Sequence, residues 1–189
     1  MTSKVSICNR ALIALSAPTI TSLTDGTQSA NYCNTLFDQA ADLCIYMGYF
    51  SSTLRRASLA QETDTPVFGY TYQYALPTSP YCLKVIQINE DTRGTYEYRI
   101  EGRKLLTDLE TVSVLYAARL TDTEEYGAAL TECVTLALQA LLCAPLTGDK
   151  VRAQAIEEKL QKALRYYSTI DNQQNAVTTL RSDDINGVR

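Results

Sequence analysis

From Cys133 to Ala144 only Thr135 and Gln139 interrupt an otherwise apolar run. An apolar helix of that length must be covered on most of its sides, so the rest of the chain has to be built around it. Gln139 and Pro145 break the longest apolar stretch, near 136–146, and make it too short to cross a bilayer. The expectation is a central helix in a soluble protein. With 189 residues the chain holds one domain. The N-terminus carries one positive charge and no long apolar stretch, unlike a signal peptide.

Helical patterns lie at both ends. Ser3 is placed to cap a first helix that presents Val5, Cys8, Leu12 and Leu15 on one face, with Ala17-Pro18 ending it. After the Asp25-Gly26 turn, Ala30, Cys33, Phe37, Ala40, Cys44 and Met47 recur in steps of three and four, a seam for another helix, closed by Gly48. A third, shorter helix is expected over 50–60. Thr121-Asp122-Thr123-Glu124 matches a capping box in front of the apolar helix, which Pro145 bends or ends. A last helix starts at Asp149, with Ile156, Leu160, Ala163, Leu164 and Tyr167 on one face and an i,i+4 pair of Glu158 and Lys162.

The middle alternates with a period of two: Tyr70, Tyr72 and Tyr74, then Tyr96, Tyr98 and Ile100, then Val112, Val114 and Tyr116. Leu83 to Ile88 is rich in β-branched residues, Asp91 to Gly94 reads as a type I turn, and Gly102 marks another. About four strands follow, as an antiparallel meander or small sandwich. The fold class is therefore α+β: a bundle of four to five helices (1–62 and 121–175) with an inserted β region at about 66–120, together one domain over 1–175. In 176–189 the apolar period fades, and this stretch is expected to be an extended arm reaching about 46 Å.

Composition removes several chemistries. The sequence has no His, so Ser–His–Asp catalysis, Cys–His catalysis and His-containing zinc sites are excluded. With 17 Lys and Arg against 21 Asp and Glu, the net charge is −4, which excludes a basic nucleic-acid binder but not a wall past which DNA slides. No nucleotide-cradling glycine motif occurs, and no cofactor or metal site is expected. The six cysteines (8, 33, 44, 82, 133 and 143) have no CxxC spacing, and five fall on apolar helical faces. They read as reduced core residues from a cytoplasmic folding compartment; a disulfide framework is the other reading.

Carboxylates supply the enzyme case. Asp38 and Asp42 share a helix face, and Glu62 and Asp64 share a loop, as a polysaccharide hydrolase working through paired carboxyls would need. Glu124-Glu125 fits helix capping instead. Arg55 and Arg56, near the end of the expected third helix, are either solvated charge or a contact to an acidic surface. Tyr70, Tyr72 and Tyr74 suit packing or a subunit contact, since tyrosine is favoured at interfaces.

The order of short motifs carries a resemblance. Asn9-Arg10-Ala11-Leu12 is followed by Ile20-Thr21-Ser22-Leu23, Asp25-Gly26, Ala30, Phe50-Ser51-Ser52, Arg56-Ala57, Leu59-Ala60 and Pro66. Then come Tyr70, Tyr72-Gln73-Tyr74-Ala75-Leu76-Pro77 and Cys82-Leu83-Lys84-Val85. Over roughly residues 5–88 this resembles the tail tubular protein A family, the head-to-tail adaptors of short-tailed bacteriophages. Tyr49 stands near the place where that family commonly has a Trp. The resemblance implies a structural virion protein with no catalytic site. Copies of the chain, usually twelve, would form a ring beneath the portal protein, with tail nozzle or tail tube proteins below and DNA passing through unbound. No membrane is involved. The C-terminal arm, with Leu180, Arg181, Ile185 and Val188, would reach the portal. A small interaction module that never enters a virion is a further alternative.

Overall fold

Helix boundaries follow local capping chemistry. In the computed structural model, which describes residues 2–91 and 94–175, the Ser3 hydroxyl accepts from the Ser6 amide at 3.1 Å and the Ser6 hydroxyl accepts from the Ser3 amide at 3.0 Å. This reciprocal cap opens α1 (Lys4–Ala14). Thr27 caps α2 (Gln28–Met47), and Gly48 closes it. Gly48 has an ordinary φ; it is needed for room, because a Cβ there would lie 2.3 Å from the Phe50 ring.

The expected third helix does not form. A 3₁₀ turn (Ser51–Thr53) leads into β1 (Leu54–Ser58), which pairs antiparallel with β6 (Ser113–Ala118) from Leu54↔Ala117 to Ser58↔Ser113. Ladder bonding to a strand some sixty residues away overrides the helix propensity of Leu-Arg-Arg-Ala. The helical part thus ends before residue 54. Arg55 and Arg56 sit on a strand, not near a helix end.

Among the described residues, six strands form two three-stranded antiparallel sheets. One has the order β1-β6-β3, with β3 at Cys82–Ile88; the other has the order β2-β5-β4, with β2 at Tyr72–Ala75, β4 at Tyr98–Glu101 and β5 at Lys104–Thr107. Tyr74 and Leu105 from the second sheet pack with Val85, Ile88, Val114 and Tyr116 from the first, so the β region is a small sandwich. The other face of the first sheet serves the helices: Ala117 is buried in the helical core, and Leu83 and Ile86 pack against it. The layers run helices, first sheet, second sheet, and β6 belongs to both cores.

The apolar run lies in α3 (Ala128–Thr147), which packs against α1, α2 and α4 (Lys150–Asn175). By length and composition α3 could cross a membrane, with mean hydropathy 1.6 in its most apolar window; here those apolar faces meet the other three helices. Two local expectations change. Asp122, not Thr121, acts as a cap, and it caps a 3₁₀ turn (Thr123–Glu125); buried Tyr126 follows, and α3 begins only after Gly127. Pro145 does not stop α3: the helix runs on to Thr147 without the bond that an amide at 145 would donate to the Leu141 carbonyl. Gly148, at φ 72°, ends the helix in the left-handed conformation that glycine adopts freely.

The seam on α2 holds from Ala30 to Cys44, while Met47 at its end is exposed. The Asp149 carboxylate accepts from the Arg152 amide at 2.9 Å at the start of α4, and Leu160 and Leu164 are buried with Ile156, Ala163 and Tyr167 against the core. The 91–94 turn lies partly, and the 176–189 arm wholly, outside the described residues.

Candidate functional site

The N-terminal motifs meet in a hydrogen-bonded joint between α1 and the segment that follows it. Asn9 on α1 makes a two-way clamp on Ile20: its amide donates to the Ile20 carbonyl at 2.8 Å, and its side-chain oxygen accepts from the Ile20 amide at 2.9 Å. The clamp acts like one rung of a β-ladder and fixes the segment leaving α1. A few residues on, the Asp25 carboxylate accepts from the Ser22 amide at 2.9 Å and the Thr21 amide at 2.7 Å.

Those two backbone donors, Ser22 first, hold the Asp25 carboxyl below its ordinary value of 3.8. The folded value is the lower one. Its contribution is therefore complete above the unfolded value and is lost as pH falls through the folded value. The Asp25 carboxyl should titrate below 3.8 by NMR, with the Thr21 and Ser22 amide shifts following it; in Asp25→Asn that acid-linked movement should vanish.

Of the candidate contact residues, Arg55 is half-buried and already engaged. It donates to Glu125 at 2.6 Å and to the Ser52 and Leu54 carbonyls at 2.9 and 3.0 Å. Arg56 is exposed and lines an open cleft of about 320 Å³ with Gln87, Asn89, Glu90 and Ser113. The tyrosine stripe divides. Tyr70 precedes the strand and Tyr72 is half-buried, but Tyr74 is buried and its hydroxyl donates to the Leu109 carbonyl at 2.7 Å. Tyr74 is thus a core residue, because the first sheet covers its face. Leu180, Arg181, Ile185 and Val188 lie outside the described residues.

The carboxylates do not converge. Asp38 meets Lys4 at 2.8 Å, and Asp42 pairs with Arg119, whose Nε donates at 2.8 Å. Glu62 meets Lys104 at 2.5 Å, and Asp64 is exposed in the loop. Each of the first three faces a cation from another element. Among the described residues no cluster of three or more His, Cys, Asp or Glu is arranged to hold a metal ion.

All six cysteines are free and buried. Burial pushes the Cys133 thiol up to about 12 and raises Cys44 as well. A hydrogen bond to the Cys33 thiol, and then burial, raise Cys8. Cys8, Cys44 and Cys133 are thus core residues with the thiolate suppressed.

Sequence reasoning missed one cluster. The Tyr81 ring lies between Arg103 and Arg119, whose guanidinium carbons sit 4.0 and 4.7 Å from its centroid. Arg103 also donates to the Cys82, Pro77 and Leu76 carbonyls at 2.7, 2.6 and 3.4 Å. The only local signal was the Gly102 turn beside it. Also missed were Val67 and Phe68, which are 97% and 86% exposed at a loop tip; an adjacent apolar pair between Pro66 and Gly69 was their signal.

No protein-family model matches the chain, and no curated protein matches it.

Proposed function

We propose that this chain is a head-to-tail adaptor of a short-tailed bacteriophage virion. Copies of it, twelve in the family it resembles, form a ring between the portal and the tail nozzle or tail tube proteins, and DNA passes through. The observation that carries this reading is the engagement of the residues on which the resemblance rests. Asn9 clamps Ile20, and Asp25 ties Thr21 and Ser22, so these motifs form one joint between α1 and α2. A helical bundle with a β region between its halves is also the architecture the resemblance implies.

Charge supports the same reading. A channel wall rich in Lys and Arg would bind phosphates and slow the passage of DNA, and this chain has a net charge of −4. A closed ring of identical subunits uses one patch to meet a different patch on its neighbour.

Electron microscopy of the chain mixed with the portal ring of its virion tests the proposal. Added rings stacked on the portal are expected; monomers that never co-migrate with it overturn the proposal. Arg56→Glu should weaken that binding several-fold without lowering the thermal midpoint, because Arg56 is exposed and its reversal disturbs no buried partner. Unchanged binding would return Arg56 to solvated charge. Arg55 is the poorer probe, since its reversal also breaks the pair with Glu125.

A further inference from the structure

The second sheet has one edge that the fold covers and one that it leaves open. At the β2 edge, Gln61 bridges to Tyr74, and the Glu62 amide donates to the Gln73 carbonyl at 2.9 Å. At the other edge all four residues of β4 are exposed. The register sets which backbone groups face out. Glu101 pairs with Lys104 across the two-residue Gly102-Arg103 turn, and Arg99 pairs with Leu106. In such a hairpin these two residues exchange ladder bonds with β5, so the N–H and C=O groups of Tyr98 and Ile100 point away from the sheet.

An open edge normally carries charge that discourages pairing. Here the two charges, Arg99 and Glu101, have opposite sign, stand two residues apart on one face, and make only a loose 3.9 Å contact with each other. That spacing matches itself. If two copies of β4 pair antiparallel about Ile100, Arg99 lies opposite the partner's Glu101, and Glu101 lies opposite the partner's Arg99. On the other face Ile100 meets the partner's Ile100. Tyr98 falls across from the partner's Gly102, an aromatic ring covering a bare glycine. A register centred on Arg99 would instead set like charges face to face.

A second observation lies beside this edge. Val67 and Phe68, the most exposed large apolar side chains in the described residues, line a cleft of about 400 Å³ together with Arg99 and Glu101. A strand added at β4 comes in front of them.

We infer that β4 is a self-pairing edge: two copies of this chain join there about a two-fold axis, extending the three-stranded sheet to six strands, with Val67 and Phe68 beside the seam. The contact closes on itself and stops at a dimer. It is distinct from the patch-to-patch contact of a ring and does not depend on the adaptor reading.

Charge exchange tests it on the full-length chain. Sedimentation equilibrium over roughly 1–500 µM should show a monomer–dimer equilibrium. Arg99→Glu and Glu101→Arg should each weaken it by about tenfold or more, since each replaces two attractive pairs with two repulsive ones. The double variant Arg99→Glu/Glu101→Arg should restore it. These side chains are 68% and 59% exposed, so the variants keep the fold.

Ile100→Cys provides a covalent readout. Directly opposed residues of a hydrogen-bonded pair have Cα atoms about 5.5 Å apart, within disulfide reach, and the six native cysteines are all buried. Oxidation should give a covalent dimer and nothing larger. Its rate should fall in the Arg99→Glu background and recover in the double exchange. A chain that stays monomeric with no such crosslink, a dimer or crosslinking rate indifferent to the charge variants, or a ladder of higher oligomers would each overturn the inference. Portal binding without this dimer would leave the adaptor proposal standing alone, and this dimer without portal binding would do the reverse.

Discussion

Replacing Arg103 by methionine should lower the midpoint of thermal unfolding by roughly 5–10 °C, which corresponds to about 2–4 kcal/mol in a chain of this size. Arg103 sits on the turn between β4 and β5, yet its guanidinium holds the connection between the two sheets. It binds the Pro77 and Cys82 carbonyls, which bracket the Thr78–Tyr81 turn, and stacks on Tyr81. Its own carbonyl accepts from the Leu76 amide at 3.0 Å, so side chain and backbone grip the same segment. Methionine keeps most of the stem but leaves the carbonyls with a lost charged donor. Arg103→Lys should recover less than half of the loss, since an ammonium cannot span several carbonyls and lie flat on a ring at once. A midpoint within about 1 °C of the native chain would show that water replaces the guanidinium without penalty.

Leu138→Ala should cost about 3–4 kcal/mol and lower the midpoint by roughly 10 °C. Leu138 is fully buried on α3, the helix packed on α1, α2 and α4, so the space it leaves has helices on several sides and closes poorly. Leu43→Ala is the matched control. Leu43 is 40% exposed on α2, and its truncation should cost under about 1 kcal/mol. Equal losses for the two leucines in chemical denaturation would contradict the central placement of α3.

Much of the helical architecture was legible because its signals are local. Ser3, the Ala30-to-Cys44 seam, the apolar run and Asp149 each declare a helix within a few residues of where it forms. β1 was not legible for the opposite reason. Leu54-Arg55-Arg56-Ala57 favours a helix on its own, and the strand exists only because Ala117 to Val114 lie alongside it. The contact residues fared the same way. The alternation at Tyr70, Tyr72 and Tyr74 announced a strand, but a period of two does not reveal that a second sheet covers Tyr74. Arg55 looked available because its partner Glu125 is seventy positions away. Charges read from sequence are free until the fold supplies their counterions.

The placement of β6 has a consequence for how the molecule fails. Val114 and Tyr116 look toward the second sheet while Ala117 looks toward the helices, and both edges of the strand are zipped, to β1 and to β3. A party wall of this kind makes two rooms one building: loosening either side strips contacts from the same six residues, so the helical and β halves are bound to melt together, and the amides of 113–118 belong among the last to exchange with solvent.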